Sequence, residues 1–391
     1  MKSEFFQSLT TARKVDRFIY IACPWTPVGG GMFKVADYLI QAQAFCAPEG
    51  TAELRPLDTR GGSHAIFSLW VLATALVKIV RGRINGELAG VHVNMAERLS
   101  LFRKSTLVIV CRALGVPVVL HLHAAQLHHF YRALPRPLKV MTRWVFSLPA
   151  SCVVLGDAAR RFVIEELRVP PERVEIVING VPEPAEGRRK VVKGGVQRIL
   201  FLGNLSERKG VTDLLNALAL PGFDRNRLEV TLAGGGDIDA YQAKAAALNI
   251  NGFVKFEGWA DQKKVARLLS RADVLVLASY DEGLPLVILE ALANGVAVVC
   301  SPVGEIPAVL TDDLNACFVQ PGDVAGLAER LQRILREPAL MAFLECNGRA
   351  LYEERFSLSR FFSGVAGVHK RHFGIAGQPL AAATHAPGKS R

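Results

Sequence analysis

Two glutamates, Glu282 and Glu290, stand eight positions apart in the run SYDEGLPLVILEALANGVAVVCSPVGEIPAVL, residues 279–310. The run reads as the end of a strand, a loop holding Glu282, Gly283 and Leu284, and a helix over 285–294 that Gly295 stops. Proline suits a first helical position, where its missing N–H costs nothing, and glycine suits a helix stop. A helix N-terminus offers free N–H groups and positive potential, which suit a diphosphate. A carboxylate deeper in such a site can accept bonds from ribose hydroxyls, and one in the loop can face a sugar.

A second group sits in FLGNLSERKG, residues 201–210, where Gly203, Asn204, Arg208 and Lys209 follow a strand. A lysine in such a loop can meet the negative charge of a bound phosphate. Gly234 and Gly235 make a turn in LAGGGD, and Phe256 opens FEGW, each directly after or within a strand. In the first half, Gly29, Gly30 and Gly31 follow the first strand. They lack the G-x-G-x-x-G spacing of a dinucleotide fingerprint, but glycine lets a backbone come close to phosphate or sugar. LHLHAAQ, residues 120–126, carries His121 and His123 at a strand end, read here as facing opposite sides of the sheet. His128 and His129 are close by, but no metal-ligand spacing joins these histidines, so no metal site is expected.

Positioning these groups requires a doubly wound α/β architecture. In the first half, strands are expected at 17–24, 90–95, 116–123, 150–156 and 174–180, with helices between them. The second series runs through strands at 198–204, 228–236, about 254–259, 273–279 and 296–301. Short, continuously apolar runs alternating with helical ones imply parallel sheets covered on both faces. The stretch VPEPAEGRRKVVKGGVQ, residues 181–197, reads as a linker. The expectation is therefore one domain over 1–185 and another over 196–357. Ligands in such folds bind at the carboxyl ends of the strands.

The order of strand, EGLP, helix and GVAVVCS strand resembles the E-x7-E signature of the retaining GT-B glycosyltransferases known as group 1, or family 4. The resemblance spans about residues 18–373 and is specific in the C-terminal half. It implies two Rossmann-like domains facing across a cleft, a nucleotide-sugar donor (UDP- or GDP-linked) on the second and an acceptor on the first, with no cofactor. It implies that Glu282 faces the sugar, Glu290 the ribose, and Lys209 the leaving diphosphate. Gly203, Asn204, Arg208, Gly234, Gly235, Phe256, Gly283, Leu284 and Pro285 would complete the donor site. Gly29, Gly30 and Gly31 match the family's N-terminal glycine loop. His123 matches its histidine, bonding the sugar or an attacking hydroxyl. The family's arginine after the first glycine is Asn204 here. Either Arg208 substitutes for it or the diphosphate is held with one cation fewer. Gly156 stands where relatives often have serine. The resemblance also implies that a C-terminal helix at about 358–374 packs back on the first domain. A non-catalytic nucleotide-sugar-binding protein and a GT-B epimerase are the rival functions.

The charge of +11 favours anionic partners. No helix-turn-helix, zinc finger or RNA-binding strand pattern is present, so no nucleic acid is expected. Residues 65–83 and 127–146 mix apolar and aromatic side chains with Lys and Arg. Such helices can lie on an anionic membrane, as a lipid-linked or surface-polysaccharide acceptor would suit. The run AIFSLWVLATALV, residues 65–77, is short of the ~20 apolar residues of a spanning helix and reads as buried or interfacial. Seven scattered cysteines without a CxxC pair and a start without a leader pattern fit a cytoplasmic protein, one that can also sit peripherally on the inner membrane face. Residues 375–391 have little to bury and read as a disordered tail.

Overall fold

The computed structural model describes residues 17–26, 30–47, 51–62, 65–123, 126–184 and 195–374. Gly29 and most of the expected linker lie outside them, as does the tail over 375–391.

The first half runs β1 (Phe18–Cys23), α1 (Gly31–Cys46), β2 (Glu53–Asp58), α2 (Ala65–Ile84), β3 (Leu88–Met95), α3 (Leu99–Ala113) and β4 (Val118–Leu122). It continues through α4 (Leu127–Ala133), α5 (Arg136–Ser147), β5 (Ser151–Val154), α6 (Asp157–Glu165) and β6 (Val174–Ile176). Its six strands lie in the order β2-β1-β3-β4-β5-β6, all parallel. The second half runs β7 (Gln197–Leu202), α7 (Val211–Ala219), β8 (Leu228–Ala233), α8 (Ile238–Ala247), β9 (Val254–Gly258), α9 (Gln262–Leu269) and β10 (Val274–Leu277). After these come α10 (Leu286–Asn294), β11 (Ala297–Cys300), α11 (Ile306–Val309), β12 (Cys317–Phe318), α12 (Val324–Arg336), α13 (Pro338–Leu351) and α14 (Leu358–Phe373). Its strands lie in the order β12-β11-β10-β7-β8-β9, again all parallel.

The central strands are buried on both faces: every residue of β3, β4, β5, β10 and β11 is buried. That is why they read as continuous apolar runs instead of alternating ones. In each sheet the strand order reverses once, between β1 and β3 and between β7 and β10. The loops leaving β7 and β10 are thus brought side by side, and these loops carry Lys209 and Glu282.

Helix α14 lies on the first sheet beside α1 and β4. Its Phe373 ring sits on Gly90 of β3, where an added methyl would come within 2.4 Å of the ring. Residues 181–184 and the turn 352–356 cross between the halves, with the Tyr352 hydroxyl donating to the Val181 carbonyl at 3.1 Å.

The strand readings and the place of Pro285 need correction. Two strands were absent from the sequence reading, edge strands β2 and β12, and β6 ends at Ile176 rather than continuing to Gly180. Pro285 is the N-cap of α10, which begins at Leu286. Helix α2, expected to be buried or interfacial, is not wholly buried: it exposes Phe67, Leu69, Trp70, Val77 and Ile84. Among the described residues no helix is long and apolar enough to cross a membrane. All seven cysteines are free.

Candidate active site

The loop after β7 turns through a single 3-10 turn, Glu207–Lys209, and Gly210 ends it in the left-handed conformation. A methyl on Gly210 would lie 2.0 Å from the Ala278 carbonyl oxygen, so the loop's close seating on the end of β10 requires glycine. The loops are strapped together twice more. Tyr280 N–H donates to the Arg208 carbonyl at 2.8 Å, and Arg208 Nη1 donates to the Asp281 carbonyl at 2.5 Å. Lys209 Nζ then reaches Glu282 Oε1 in a close ion pair, with both side chains largely buried. Gly210→Ala is expected to lower the melting temperature and slow turnover. The left-handed backbone alone costs an alanine about 1–2 kcal/mol, before the carbonyl clash. A variant that melts and works like the wild type would contradict this packing argument.

Glu290 lies one turn into α10 with only 7% of its surface exposed. Its Oε1 accepts from Lys34 Nζ at 2.6 Å and from the Tyr38 hydroxyl at 3.0 Å, both on α1 of the other half. Burial, followed by the charge of Glu290, holds the Tyr38 phenol protonated. The second oxygen, Oε2, is buried with no partner among the described residues. A buried, half-satisfied carboxylate is costly, and it leaves an acceptor ready for a ligand hydroxyl.

A cavity of about 630 Å³ lies between the halves. The second half lines it with Gly203, Asn204, Arg208, Lys209, Gly234, Gly235, Gly283, Leu284 and Pro285, the first half with Gly30, Gly31, Lys34 and His123. Gly234 packs on the Gly203 carbonyl, where a methyl would lie 1.7 Å from the oxygen, so the two glycine turns share one wall. Phe256 does not line it. The ring packs on the core, and Trp259 and Ala260 from the same segment line the wall instead. Glu290 opens onto a neighbouring cavity of about 690 Å³ that shares Lys34 and Val265 with the first.

On the other side of His123 and Glu282 is a third cavity of about 550 Å³, walled by α4, α6 and the loops after β10 and β11. Glu305 crosses between the halves here. Its Oε1 accepts from Ala159 N–H at 2.7 Å and its Oε2 from Ala158 N–H at 3.3 Å, capping the N-terminus of α6. A methyl on Gly156 would meet Oε2 at 2.2 Å, so a side chain at 156 and this carboxylate exclude each other. That accounts for glycine at position 156.

His121 and His123 do not face opposite ways. Residues two apart on a strand share a face, and the ring centroids are 4.1 Å apart. His121 belongs to a buried series in which His92 Nε2 lies 3.1 Å from His121 Nδ1, and His92 Nδ1 lies 2.8 Å from His369 Nε2 on α14. Burial pushes His92 down to about 3 and holds His121 and His369 well below the usual imidazole range. These three are neutral framework groups, whereas His123 forms part of the wall of two cavities. Among the described residues no group of three or more His, Cys, Asp or Glu is arranged to hold a metal ion.

The sequence reading missed Lys34, Tyr38, Trp259 and Glu305. For Lys34 and Tyr38 a signal existed: they are four apart on the helix that follows the glycine loop, and so share one face.

Residues 185–350 match the family described as glycosyl transferases, group 1. An uncharacterized glycosyltransferase of Methanocaldococcus jannaschii is 26% identical over 235 residues, covering 56% of this chain and 60% of that protein. The D-inositol 3-phosphate glycosyltransferase of Frankia alni is 32% identical over 200 residues, covering 46% and 48%. The chain thus spans about half the length of the curated relatives it matches. Among solved structures, HepE of Anabaena in complex with UDP superposes with a TM-score of 0.70 at 16% identity, covering 91% of this chain and all of that one. Sucrose-phosphate synthase of Thermosynechococcus elongatus gives 0.73 at 17% identity, covering 92% and 100%. At such identities these two likenesses establish the fold, which is GT-B. The match to the group 1 family thus covers residues 185–350, and the likeness in fold extends over about nine-tenths of the chain.

Proposed function

We propose that this protein moves a sugar from a nucleoside-diphosphate sugar to a hydroxyl of an acceptor, with retention of anomeric configuration and without an essential metal. The observation that carries the proposal is the interdomain cavity, where Lys209, Arg208 and Lys34 meet the glycine turns of Gly203 and Gly234 opposite Gly30 and His123. Close backbone and three cations suit a diphosphate. The neighbouring Oε2 of Glu290, buried and unpartnered, suits a ribose hydroxyl. Arg208 has no carboxylate partner among the described residues, unlike Lys34 and Lys209, so it supplies the cation that Asn204 does not. In the reaction the C1–O bond to the diphosphate breaks, a C1–O bond to the acceptor forms, and the hydroxyl proton leaves with the diphosphate. Lys209 releases Glu282 to meet the charge that grows on the leaving oxygen, and Glu282 is then available to the sugar. HepE was solved with UDP and with UDP-glucose, which supports a nucleotide-sugar donor here. Calorimetric titration with UDP and GDP tests donor binding. Failure of both to bind overturns the proposal.

The acceptor enters through the cavity walled by α4 and α6, and a glycan or lipid-linked glycan is the proposed class. Trp70 on α2 and Trp144 on α5 are 62% and 50% exposed on helices that both flank α3, with Leu99 and Val140 also exposed. Arg81, Arg83, Arg136, Lys139 and Arg143 lie on the same two helices, α2 and α5. This mixture suits the surface of an anionic membrane. The protein is expected to sediment with anionic vesicles more than with neutral ones, less so as salt rises, and less again in a Trp70→Glu, Trp144→Glu variant. Equal partitioning to both vesicle types would count against it.

A further inference from the structure

Lys104 is completely buried in α3 and has no carboxylate partner among the described residues. Its Nζ donates to the Asn94 carbonyl in a short bond and to Met32 Sδ at 3.4 Å. A buried ammonium with only a carbonyl and a thioether is an expensive arrangement. Burial pushes its pKa down to about 7, with Arg103 adding to the effect and Cys23 opposing it. The two partners are informative. Met32 lies in the first turn of α1, directly after Gly31, and lines the interdomain cavity, and Asn94 sits near the end of β3. The Asn94 side chain in turn holds the catalytic-site histidine, with Oδ1 2.7 Å from His123 Nε2 and Nδ2 3.5 Å from the Ala22 carbonyl. The Ala22 carbonyl can only accept, and at 3.5 Å it favours the amide orientation that turns Nδ2 towards it. Oδ1 can only accept as well, so His123 carries its hydrogen on Nε2. Nδ1 has no partner among the described residues.

We propose that Lys104 and Asn94 are positioning residues of the sugar-transfer site. Lys104 ties the end of β3 to the first turn of α1, and Asn94 fixes His123 as a neutral Nε2–H imidazole whose Nδ1 accepts a hydrogen bond from a hydroxyl of the bound sugar or acceptor. This rests on the proposed function for its ligand, but the tautomer is a property of the protein alone. A neutral ring matters because an imidazolium would donate at both nitrogens and could accept no hydrogen bond from a hydroxyl. Burial, then the fields of His92 and Lys104, pushes His123 down to about 3. The groups around it are His121 on β4, His92 on β3, Lys104 on α3, and, lining the two cavities it shares, Glu282 in one and Lys209 in the other.

Long-range ¹⁵N–¹H NMR at pH 7, with His123 assigned by its absence in His123→Phe, is expected to show hydrogen on Nε2 alone. Hydrogen on Nδ1, or on both nitrogens, overturns the proposal. Asn94→Leu should cost about tenfold or more in kcat at every pH, the worth of one orienting bond or slightly more. Asn94→Asp places a carboxylate at Nε2 and raises the His123 pKa. Its activity should therefore fall on the acid side, where the wild type is flat, and recover towards the wild-type rate as pH rises. Lys104→Met replaces an unmatched buried charge with an apolar chain of similar length. It should melt no lower than the wild type and bind UDP or GDP as well, yet lose kcat. A Lys104→Met variant with wild-type kcat, or an Asn94→Asp variant with the wild-type pH profile, contradicts the positioning role. Loss of UDP and GDP binding by the unaltered protein would instead sink the function on which the ligand assignment rests.

Discussion

Lys209→Ala is expected to lower turnover by about 10²–10³-fold, the loss seen when one preorganised group is removed from a developing negative charge. The lysine is placed by the reversal of strand order between β7 and β10, by the glycine at 210, and by the straps from Arg208 to the loop after β10. Its present partner is Glu282, and the two side chains are 13% and 8% exposed. Removing the cation strands a carboxylate. A fully buried charge left in this way would cost about 3–5 kcal/mol, but the cavity admits water to Glu282 and reduces that cost. A companion variant, Lys209→Ala with Glu282→Gln, removes the stranded charge and should melt nearer the wild type while remaining slow. Near-normal turnover by folded Lys209→Ala protein would remove Lys209 from the chemistry.

Glu282→Ala and Glu290→Ala are expected to fail in different ways. Glu290 presents Oε2 without a partner and uses Oε1 to hold Lys34 and Tyr38 of the other half. Its loss should weaken binding of the nucleoside diphosphate. It should do so by about tenfold or more, since a hydrogen bond to a charged group is worth about 1.5–3 kcal/mol. The ribose does not change during the reaction, so this contact serves ground and transition states alike. Glu282 adjoins Lys209 at the reacting end. Its loss should slow transfer by about 10²-fold or more while leaving most affinity for the diphosphate product. Calorimetry beside a transfer assay separates the two. If both variants bind and turn over as the wild type does, the pairing of Glu282 and Glu290 with sugar and ribose is wrong. If the effects are exchanged, only their division of labour is wrong.

The second sheet was legible almost strand by strand because β10 and β11 are short apolar runs buried on both faces, and β7 and β8 end in buried apolar residues. The edges were not. β2 is ELRPLD, with charged side chains and a proline inside the strand, which an edge tolerates and a centre does not. β12 is two residues long and forms only because β11 offers a partner. Within the site, loops announced by glycine could be read from spacing. Lys34 and Tyr38 were legible only as a shared helix face, and Glu305 not at all, because each meets its partner across the two halves, where the distance is set by the packing of α1 and α6 against the second domain. The two histidines show a different failure. Their faces follow from a spacing of two, and the buried series from His121 through His92 to His369 depends on α14 returning over 270 residues of chain to cover the first sheet.

The central claim is sugar transfer from a donor held between the two halves. It is tested most directly by incubating the purified protein with UDP- and GDP-sugars and a lipid or glycan acceptor fraction, and reading the anomeric proton of the product by NMR. The expected result is release of nucleoside diphosphate that depends on the acceptor, and a product with the anomeric configuration of the donor. A donor that is bound but never consumed, a donor that is only isomerised, or a product of inverted configuration would contradict it.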